Sequence, residues 1–306
     1  MKHLNRKSKE IVMVGPLPPP YNGLSIAFKM LVDGVDKNNL SYSIVNIANT
    51  SQKRGGATSY RRAIQYLSIL KDYLKKIMFG KKTVYITIAQ SRHGFFRDFV
   101  MIWLAFFKGH NTVCHLHGGN YDNFYSQQPY WLKFFIRKTL LRVDKILVLG
   151  ERLVKMFDFE PRLRKKIYIV PNGLPISGEI NIKPKKLPSN SNEPIEILYL
   201  SNLIESKGYL DVLEAVRILV REYKLNIRAH FCGEFASYID DVKVKSAEHG
   251  QELFNTFISE HKLESNVFYH GVVSGSEKLQ RLEKAHFFVL PTNYINEGQP
   301  MSIIEA

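Results

Sequence analysis

Residues 286–306 read HFFVLPTNYINEGQPMSIIEA, and they set the pattern of the fold. The apolar run His286–Leu290 is typical of a strand, a polar loop follows it, and Ser302–Ala306 has the character of a helix opening. Pro300 fits near the first turn, where proline costs no helical hydrogen bond. Strand, loop and helix in this order form the repeating unit of a parallel α/β sheet. Such a sheet needs the helix completed and followed by a strand, so we expect the chain to be incomplete at its C-terminal end.

The same unit recurs through the 306 residues. Short β-branched runs such as Thr83–Ile88 and Ile195–Leu200 alternate with helical patterns, and the longest pattern in the second half covers Tyr238–His261. Residues 171–194 interrupt the alternation with five prolines and few large apolar side chains, as expected of a linker. We therefore predict an α/β protein of two domains. The predicted boundaries are 1–175 for the first domain, 176–194 for the linker and 195–306 for the second domain.

The composition, with 45% apolar and 23% charged residues, is that of a globular protein with real cores. Cys114 and Cys232 lie in separate apolar runs, which favours buried thiols in a reducing compartment over a disulfide or a metal site. No signal peptide is visible, and no apolar run has the roughly 20 residues of a membrane span. We expect a cytoplasmic protein.

Charge is distributed unevenly along the chain. Residues 1–176 contain 29 Lys and Arg against 10 Asp and Glu, whereas the remainder contains 14 against 18. This surplus predicts an anionic partner: membrane phospholipid, nucleic acid or a phosphorylated substrate. A nucleic-acid-binding protein is therefore one hypothesis, although no nucleic-acid-binding motif is present and the basic charge is confined to one half.

Two basic stretches, residues 61–82 and 131–142, place apolar side chains at helical spacing among lysines and arginines. Each is compatible with a helix that packs on a core and exposes a basic face. Each is equally compatible with a helix that lies on an anionic membrane. Because both belong to the same domain, we favour peripheral binding at the inner face of the cell membrane and a lipid-linked acceptor.

Two loops that follow predicted strands of the first domain are candidate ligand sites. GPLPPPYNGLS, residues 15–25, lacks the glycine spacing of dinucleotide and Walker loops, so Gly23 either admits a ligand or shapes a rigid turn. In VCHLHGGN, His117 stands before two glycines at a loop mouth, where an imidazole can meet a ligand. His115 is interpreted as a packed strand residue. We expect no metal at this pair, since no third ligand is apparent.

Three charged residues of the second domain have a possible role in binding a phosphorylated sugar. Lys207 precedes a helix start, where its charge would add to the helix dipole at a phosphate. Glu297 lies before the helix start near Pro300, whose free N–H groups can hold an anion. Glu305 can accept hydrogen bonds from a ribose diol. Taken singly, all three are compatible with ordinary surface residues.

Several motifs occur in one order at sensible spacing. They are PNG at 171–173, SKG at 206–208, FCGE at 231–234, HGVVSGSEKLQRLEKAHFFVLPT at 270–292 and EGQPMSIIEA at 297–306. Together they resemble the GT-B-fold retaining glycosyltransferases of family 4, nucleotide-sugar-dependent enzymes that build bacterial polysaccharides and glycolipids. The resemblance covers nearly the whole chain and is strongest over residues 167–306.

This resemblance implies two Rossmann-like domains facing each other across a cleft. The C-terminal domain would hold a nucleotide-sugar donor, and the N-terminal domain would take a glycan or polyprenyl-linked acceptor, with no cofactor, metal or nucleic acid. The catalytic residues that it implies are Glu297, Lys207 and His117. The donor-binding residues that it implies are Gly23, Asn202, Gly298, Gln299, Pro300 and Glu305.

The chain departs from the family at Ser201-Asn202, where members commonly have Gly-Arg. Since Asn202 carries no charge, stabilisation of the leaving diphosphate would rest more on Lys207 and on helix N-termini. A nucleotide-sugar epimerase or phosphorylase on the same fold is a further hypothesis, which analysis of the reaction product would separate from transfer.

Overall fold

Parallel strand pairing throughout both sheets confirms the α/β class predicted from the sequence. The computed structural model describes residues 10–19, 21–48, 59–174, 185–188, 193–238 and 241–306, without the side chains of residues 59–63. Most of the predicted linker, the loop residue Pro20 and the side chains of Arg61 and Arg62 lie outside this description. The chain divides into two compact units: Met1–Pro175 with Asn296–Gln299, and Ile176–Ile295 with Pro300–Ala306.

The first unit contains, among its described residues, one parallel sheet in the order β2-β1-β3-β4-β5-β6. Its strands are β1 (Ile11–Gly15), β2 (Tyr42–Asn46), β3 (Thr83–Ile88), β4 (Asn111–Leu116), β5 (Lys145–Val148) and β6 (Ile167–Ile169). Its helices are α1 (Gly23–Lys37), α2 (Ser59–Ile77), α3 (Arg92–Phe107), α4 (Tyr121–Ser126), α5 (Tyr130–Arg142) and α6 (Glu151–Val154).

Both faces of this sheet are buried, because side chains alternate sides along each strand and helices cover each side. In β1, Val12 and Val14 join the large core that also contains Tyr73 of α2. Met13, between them in sequence, joins a second core with Phe28 of α1. The carboxyl ends of the strands therefore lie at one edge of a sheet whose position is fixed from both sides.

The second unit contains, within the described residues, a parallel sheet in the order β10-β7-β8-β9. Its strands are β7 (Ile195–Leu200), β8 (Ile227–Cys232), β9 (Val267–Tyr269) and β10 (Phe287–Phe288). Its helices are α7 (Tyr209–Arg221), α8 (Ala247–Glu260), α9 (Gly275–Lys284) and α10 (Met301–Glu305). The core between α7, α8 and the sheet is rich in aromatic rings, and Phe254 lies 5.2 Å from Phe231 in an edge-to-face arrangement.

One predicted helix is too long. The pattern at Tyr238–His261 was expected to be helical throughout, whereas residues 241–246 are not helical and α8 begins at Ala247. The cause is Ser246, whose hydroxyl accepts a hydrogen bond from the backbone N–H of His249 at 3.1 Å and so caps the helix. The sequence prediction also missed α4 and two short 3₁₀ turns, Pro161–Lys166 and Glu205–Lys207.

Residues 296–299 belong to the first unit, although the sequence analysis placed them in the second domain. The reason is a set of hydrogen bonds to the loops after β3, β4 and β6, which the next subsection describes. Among the described residues, no helix is both long enough and apolar enough to cross a lipid bilayer.

Two side chains of α5 provide a direct test of its orientation. Ile136 is fully buried in the first core, while Phe134, two residues earlier, is 55% exposed. Ile136→Ala is expected to lower the free energy of unfolding by about 2–4 kcal/mol, because it leaves a cavity. Phe134→Ala is expected to change it by less than about 0.5 kcal/mol. Urea denaturation of both variants checks this, and equal losses would mean that the burial of α5 is wrong.

Candidate active site

The turn after β4 forms the centre of the candidate site in the first unit. His117, Gly118 and Gly119 follow the strand directly, at the carboxyl edge of the sheet. Residues 296–299 lie against this turn, and the backbone N–H of Gly119 donates to the carbonyl oxygen of Asn296 at 3.2 Å. The sequence prediction that His117 stands at a loop mouth is confirmed, and its neighbours include Glu297 and Gly298.

The approach of the two backbones is so close that neither glycine can carry a side chain. A Cβ atom built at Gly119 would overlap the carbonyl oxygen of Glu297, and one at Gly298 would overlap that of His117. Absence of a side chain on both segments is what permits the contact. The backbone of Glu297 is thereby held directly against the turn.

Amide side chains fix the first end of the segment. The Oδ1 atom of Asn296 accepts hydrogen bonds from Gln90 Nε2 at 3.0 Å and from Asn120 Nδ2 at 3.2 Å. Gln90 also accepts from the backbone N–H of Asn120 at 3.1 Å. Neither Gln90 nor Asn120 was predicted from the sequence, which has no spacing signal for polar contacts between segments this far apart.

Asn172 fixes the other end of the segment. Its backbone N–H donates to Gln299 Oε1 at 2.8 Å, and its side-chain amide donates to the Gln299 carbonyl oxygen at 3.2 Å. Asn172 is the central residue of the PNG motif, so the sequence carried a signal here, but no role followed from it. Gln299, predicted as a donor-binding residue, therefore uses both its side chain and its backbone to hold the loop.

The two histidines of β4 and its turn are neutral near pH 7. Their ring centres lie 4.0 Å apart, and His115 Nδ1 is 2.7 Å from the hydroxyl of Tyr85. Burial lowers the pKa of His115 to about 3, with a smaller contribution from His117. Burial also lowers the pKa of His117 to about 4, which the Asn172 side chain partly opposes. His117 is thus an uncharged ring whose nitrogens, both buried, form no hydrogen bond of good geometry with the described residues.

Lys207 lies in the second unit, at the end of the 3₁₀ turn Glu205–Lys207 and before α7, as the sequence predicted. Gly208 caps α7 with a positive φ of 78°, and a Cβ there would come within 2.6 Å of the Pro291 carbonyl oxygen. The Lys207 ammonium lies 5.5 Å from the ring centre of Tyr294. Glycine is thus required beside the lysine, both for the turn and for the close packing.

Asn202 lies close to this turn. The Tyr199 hydroxyl donates to the Asn202 carbonyl oxygen at 3.1 Å and is 3.4 Å from the Lys207 carbonyl oxygen. A Cβ at Gly233, in the FCGE motif, would overlap the Ser201 carbonyl oxygen and lie 3.0 Å from the Asn202 backbone nitrogen. The motif glycine therefore closes the FCGE turn onto the end of β7.

Glu305 ends α10, for which Pro300 is the N-cap residue. Its carboxylate forms an ion pair with the Lys278 ammonium of α9 at 2.6 Å, and the carboxylate side chain is only 12% exposed. Lys278 was not predicted, because nothing in its helical pattern distinguishes it from a surface lysine. The pair holds the carboxylate in one orientation, and a carboxylate has lone pairs for further donors.

Gly23 is the first residue of α1, where Asn22 caps the helix by accepting from the Ser25 backbone N–H at 3.0 Å. No atom lies within 4 Å of the position of a Cβ at Gly23, so the turn does not itself require glycine there. Among the predicted residues, the first unit brings together His117, Glu297, Gly298 and Gln299. The second brings Asn202 close to Lys207 and joins Pro300 to Glu305 through α10.

Residues 179–306 match the family model described as Glycosyl transferases group 1. The match covers less than half of the chain. The matched residues include Lys207 and Glu305 of the second unit and Glu297 of the first.

A sequence relative and two solved structures extend this comparison. The chain is 28% identical over 159 residues to the capsular polysaccharide biosynthesis glycosyltransferase CapH of Staphylococcus aureus, a match that covers 52% of this chain and 38% of CapH. It resembles the apo form of the lipopolysaccharide outer core galactosyltransferase WaaB, with a TM-score of 0.58 and 13% identity over 97% of this chain and 77% of that one. It also resembles Anabaena HepE in complex with UDP-glucose, with a TM-score of 0.60 and 14% identity over 97% and 78% of the two chains.

These likenesses, with the two parallel sheets, confirm the GT-B fold that the sequence predicted. The chain spans well under half of CapH in the matched region.

Gly298→Ala tests the close backbone contact. The new Cβ would overlap the His117 carbonyl oxygen, so residues 296–299 must shift, and a loss of about 1–3 kcal/mol in the free energy of unfolding is expected. Gly150→Ala is the matched control, because no atom lies within 4 Å of that Cβ position and its φ of −173° suits any residue. Equal stability of both variants in urea would contradict the contact.

The histidine pair predicts a loss of stability in acid. The pKa of each ring in the folded protein lies below its usual value of 6.5, so the unfolded chain binds protons more strongly and stability falls as pH drops below about 6.5. His117→Gln should reduce the loss of unfolding free energy between pH 7.5 and pH 5 by about 2 kcal/mol. Denaturation curves at both pH values measure this, and an unchanged difference would refute the depressed pKa of His117.

Proposed function

We propose that the protein is a retaining glycosyltransferase that moves a hexose from a nucleotide-sugar to a glycan or lipid-linked acceptor in surface polysaccharide biosynthesis. The observation that carries the proposal is the glycosyl transferases group 1 match, which includes Lys207, Glu297 and Glu305. The name of CapH supports a capsule-type product, and the HepE complex supports a nucleotide-sugar donor. The reaction would take place in the cytoplasm, where such donors are made.

The proposed chemistry begins with the bond between the anomeric carbon and the diphosphate oxygen. As it breaks, positive charge develops on the sugar and negative charge on the leaving nucleoside diphosphate. A fixed cation aimed at that developing charge lowers the barrier. We assign this role to Lys207, at the start of α7, where the dipole of a 13-residue helix adds to the ammonium charge. Asn202 would contribute hydrogen bonds without charge.

The remaining site residues position the donor in this proposal. Glu305, oriented by Lys278, would accept hydrogen bonds from the ribose hydroxyls. The segment 296–299 would present Glu297 and the backbone of Gly298 and Gln299 to the sugar and diphosphate, with Pro300 closing the turn. Its anchoring to the His117 turn fixes the backbone of the segment before a ligand binds, so little backbone order has to be gained on binding.

Proton transfer in this mechanism requires no metal or cofactor. The acceptor hydroxyl oxygen would form a bond to the anomeric carbon on the face that the diphosphate leaves, and the hydroxyl proton would pass to the leaving phosphate. Configuration at that carbon is then retained. His117, neutral near pH 7, would act as a hydrogen-bonding group toward the substrates, and Gly23 would leave room for the donor at the start of α1.

Lys207→Ala and Glu297→Ala are each expected to lower transfer at least ~100-fold, because each removes a group that acts on the transition state. The control is Lys284→Ala, which removes an exposed lysine at the end of α9. The assay follows release of nucleoside diphosphate and the anomeric configuration of the product by NMR. Near-normal turnover in either site variant would refute the assigned roles, and release of free epimerised donor without an acceptor would favour an epimerase.

A further inference from the structure

The helices α3 and α5 lie side by side and share a continuous line of contacts. Phe96 stacks near Trp131 at 6.5 Å between ring centres, and Phe99 meets Phe135 edge to face at 5.8 Å. The Trp103 indole N–H donates to the Thr139 hydroxyl at 3.0 Å. The Arg142 guanidinium lies 4.7 Å from the ring centre of Phe106. Each partner pair is three or four residues beyond the last on both helices, so the helices run parallel along one surface.

This surface exposes a second apolar face on each helix. The inner faces are already occupied, since Met101 and Ile102 of α3 and Leu132 and Ile136 of α5 lie in the first core. The outer faces are nevertheless aromatic, with Phe107 73% and Trp131 55% exposed. We call the outer face the aromatic ridge. Its exposed members are Phe96, Val100, Phe106, Phe107, Tyr130, Trp131, Phe134 and Phe135.

Cations surround the aromatic ridge. The Lys133 ammonium lies 5.8 Å from the ring centre of Tyr130, and the Lys138 ammonium lies 5.4 Å from that of Phe134. The two helices expose no acidic side chain: α5 has no Asp or Glu, and Asp98 of α3 is 2% exposed and paired with Arg97. Glu160, which pairs with Arg137 of α5, is also 2% exposed. Aromatic rings flanked by long cationic side chains are the composition of proteins that rest at the headgroup level of a membrane.

The other basic helix, α2, differs from this pair in having few exposed aromatic rings. Tyr73 and Ile77 of α2 are fully buried, and Ile69, Leu70 and Leu74 pack against the same core. α2 also exposes Ile64, Tyr66 and Leu67, so it fills the core and keeps a partly apolar outer face, in which Tyr66 is the one exposed aromatic ring among its described side chains. The stretch 131–142 fills its core positions and still exposes a row of aromatic side chains.

We propose that the aromatic ridge is the surface by which this protein rests on an anionic membrane, with α3 and α5 lying along the lipid headgroups. The ridge has the charge that complements anionic lipid, and a large exposed apolar patch in a folded protein marks an interaction surface. The inference extends the proposed function, because a lipid-linked acceptor would lie at the same membrane surface. Binding of the ridge to lipid does not itself depend on transfer.

Flotation with phosphatidylcholine vesicles, with and without phosphatidylglycerol, tests the proposal in the absence of donor and acceptor. The protein should float with the anionic vesicles and be released by salt. The double variants Phe107→Ser/Phe134→Ser and Lys133→Glu/Lys138→Glu should each lower the partition coefficient at least ~10-fold. The matched controls carry Tyr223→Ser, at a 68% exposed ring of the second unit, or Lys284→Glu, and should float like the parent.

Three results would overturn the proposal. The first is equal binding to neutral and anionic vesicles, and the second is unchanged binding of both ridge variants. The third is a dimer of the free protein, measured by analytical ultracentrifugation, that the double variant Phe107→Ser/Phe134→Ser dissociates, because a second copy would then cover the ridge. Turnover on a water-soluble acceptor separates a failure of the membrane proposal from a failure of the proposed transferase function. The ridge variants should retain this turnover, whereas Lys207→Ala should lose it.

Discussion

The contact between the His117-Gly118-Gly119 turn and residues 296–299 is the constraint on which the candidate site depends. Two backbones meet where a Cβ atom on either Gly119 or Gly298 would overlap a carbonyl oxygen. Hydrogen bonds from Gln90 and Asn172 then hold the two ends of the segment. A loop between a strand and a short helix would ordinarily be mobile. Here the loop is fixed to turns at the edge of the first sheet, and the position of the Glu297 backbone follows from that attachment.

The two glutamates of the terminal motif are fixed by different interactions. The backbone of Glu297 lies against the His117-Gly118-Gly119 turn, where its carbonyl oxygen meets Gly119. Glu305 is held through its carboxylate, by the Lys278 ammonium at 2.6 Å. A carboxylate that is oriented by a cationic partner has lone pairs with which it can also accept hydrogen bonds from hydroxyl groups. This difference is compatible with the proposed roles, in which Glu297 would lie beside the sugar and Glu305 would orient the ribose.

The sequence predicts those helices and strands whose apolar residues recur in a regular pattern. Short β-branched runs located β3 and β7 at their observed bounds, and the linker composition separated the two halves. The apolar pattern does not predict an element boundary that a single side chain sets. Ser246 is an example, because its cap makes α8 begin at Ala247 and not at Tyr238. The pattern also fails for the amides of Gln90 and Asn120, whose partner is more than 170 residues away and leaves no local pattern. One of the two helices of the aromatic ridge, α5, was visible in the sequence as a basic helical stretch. Only the structure shows which of its aromatic side chains stay exposed once the core positions are filled.

The central claim of the proposed function is that the folded protein binds a nucleotide-sugar. A ligand that binds the folded state alone raises the melting temperature with its concentration. Thermal unfolding in the presence of a panel of nucleotide-sugars, beginning with UDP-glucose, tests the claim most directly. The account predicts a concentration-dependent rise for one member of the panel, which Lys207→Ala removes. No rise with any nucleotide-sugar, or an undiminished rise in that variant, would contradict it.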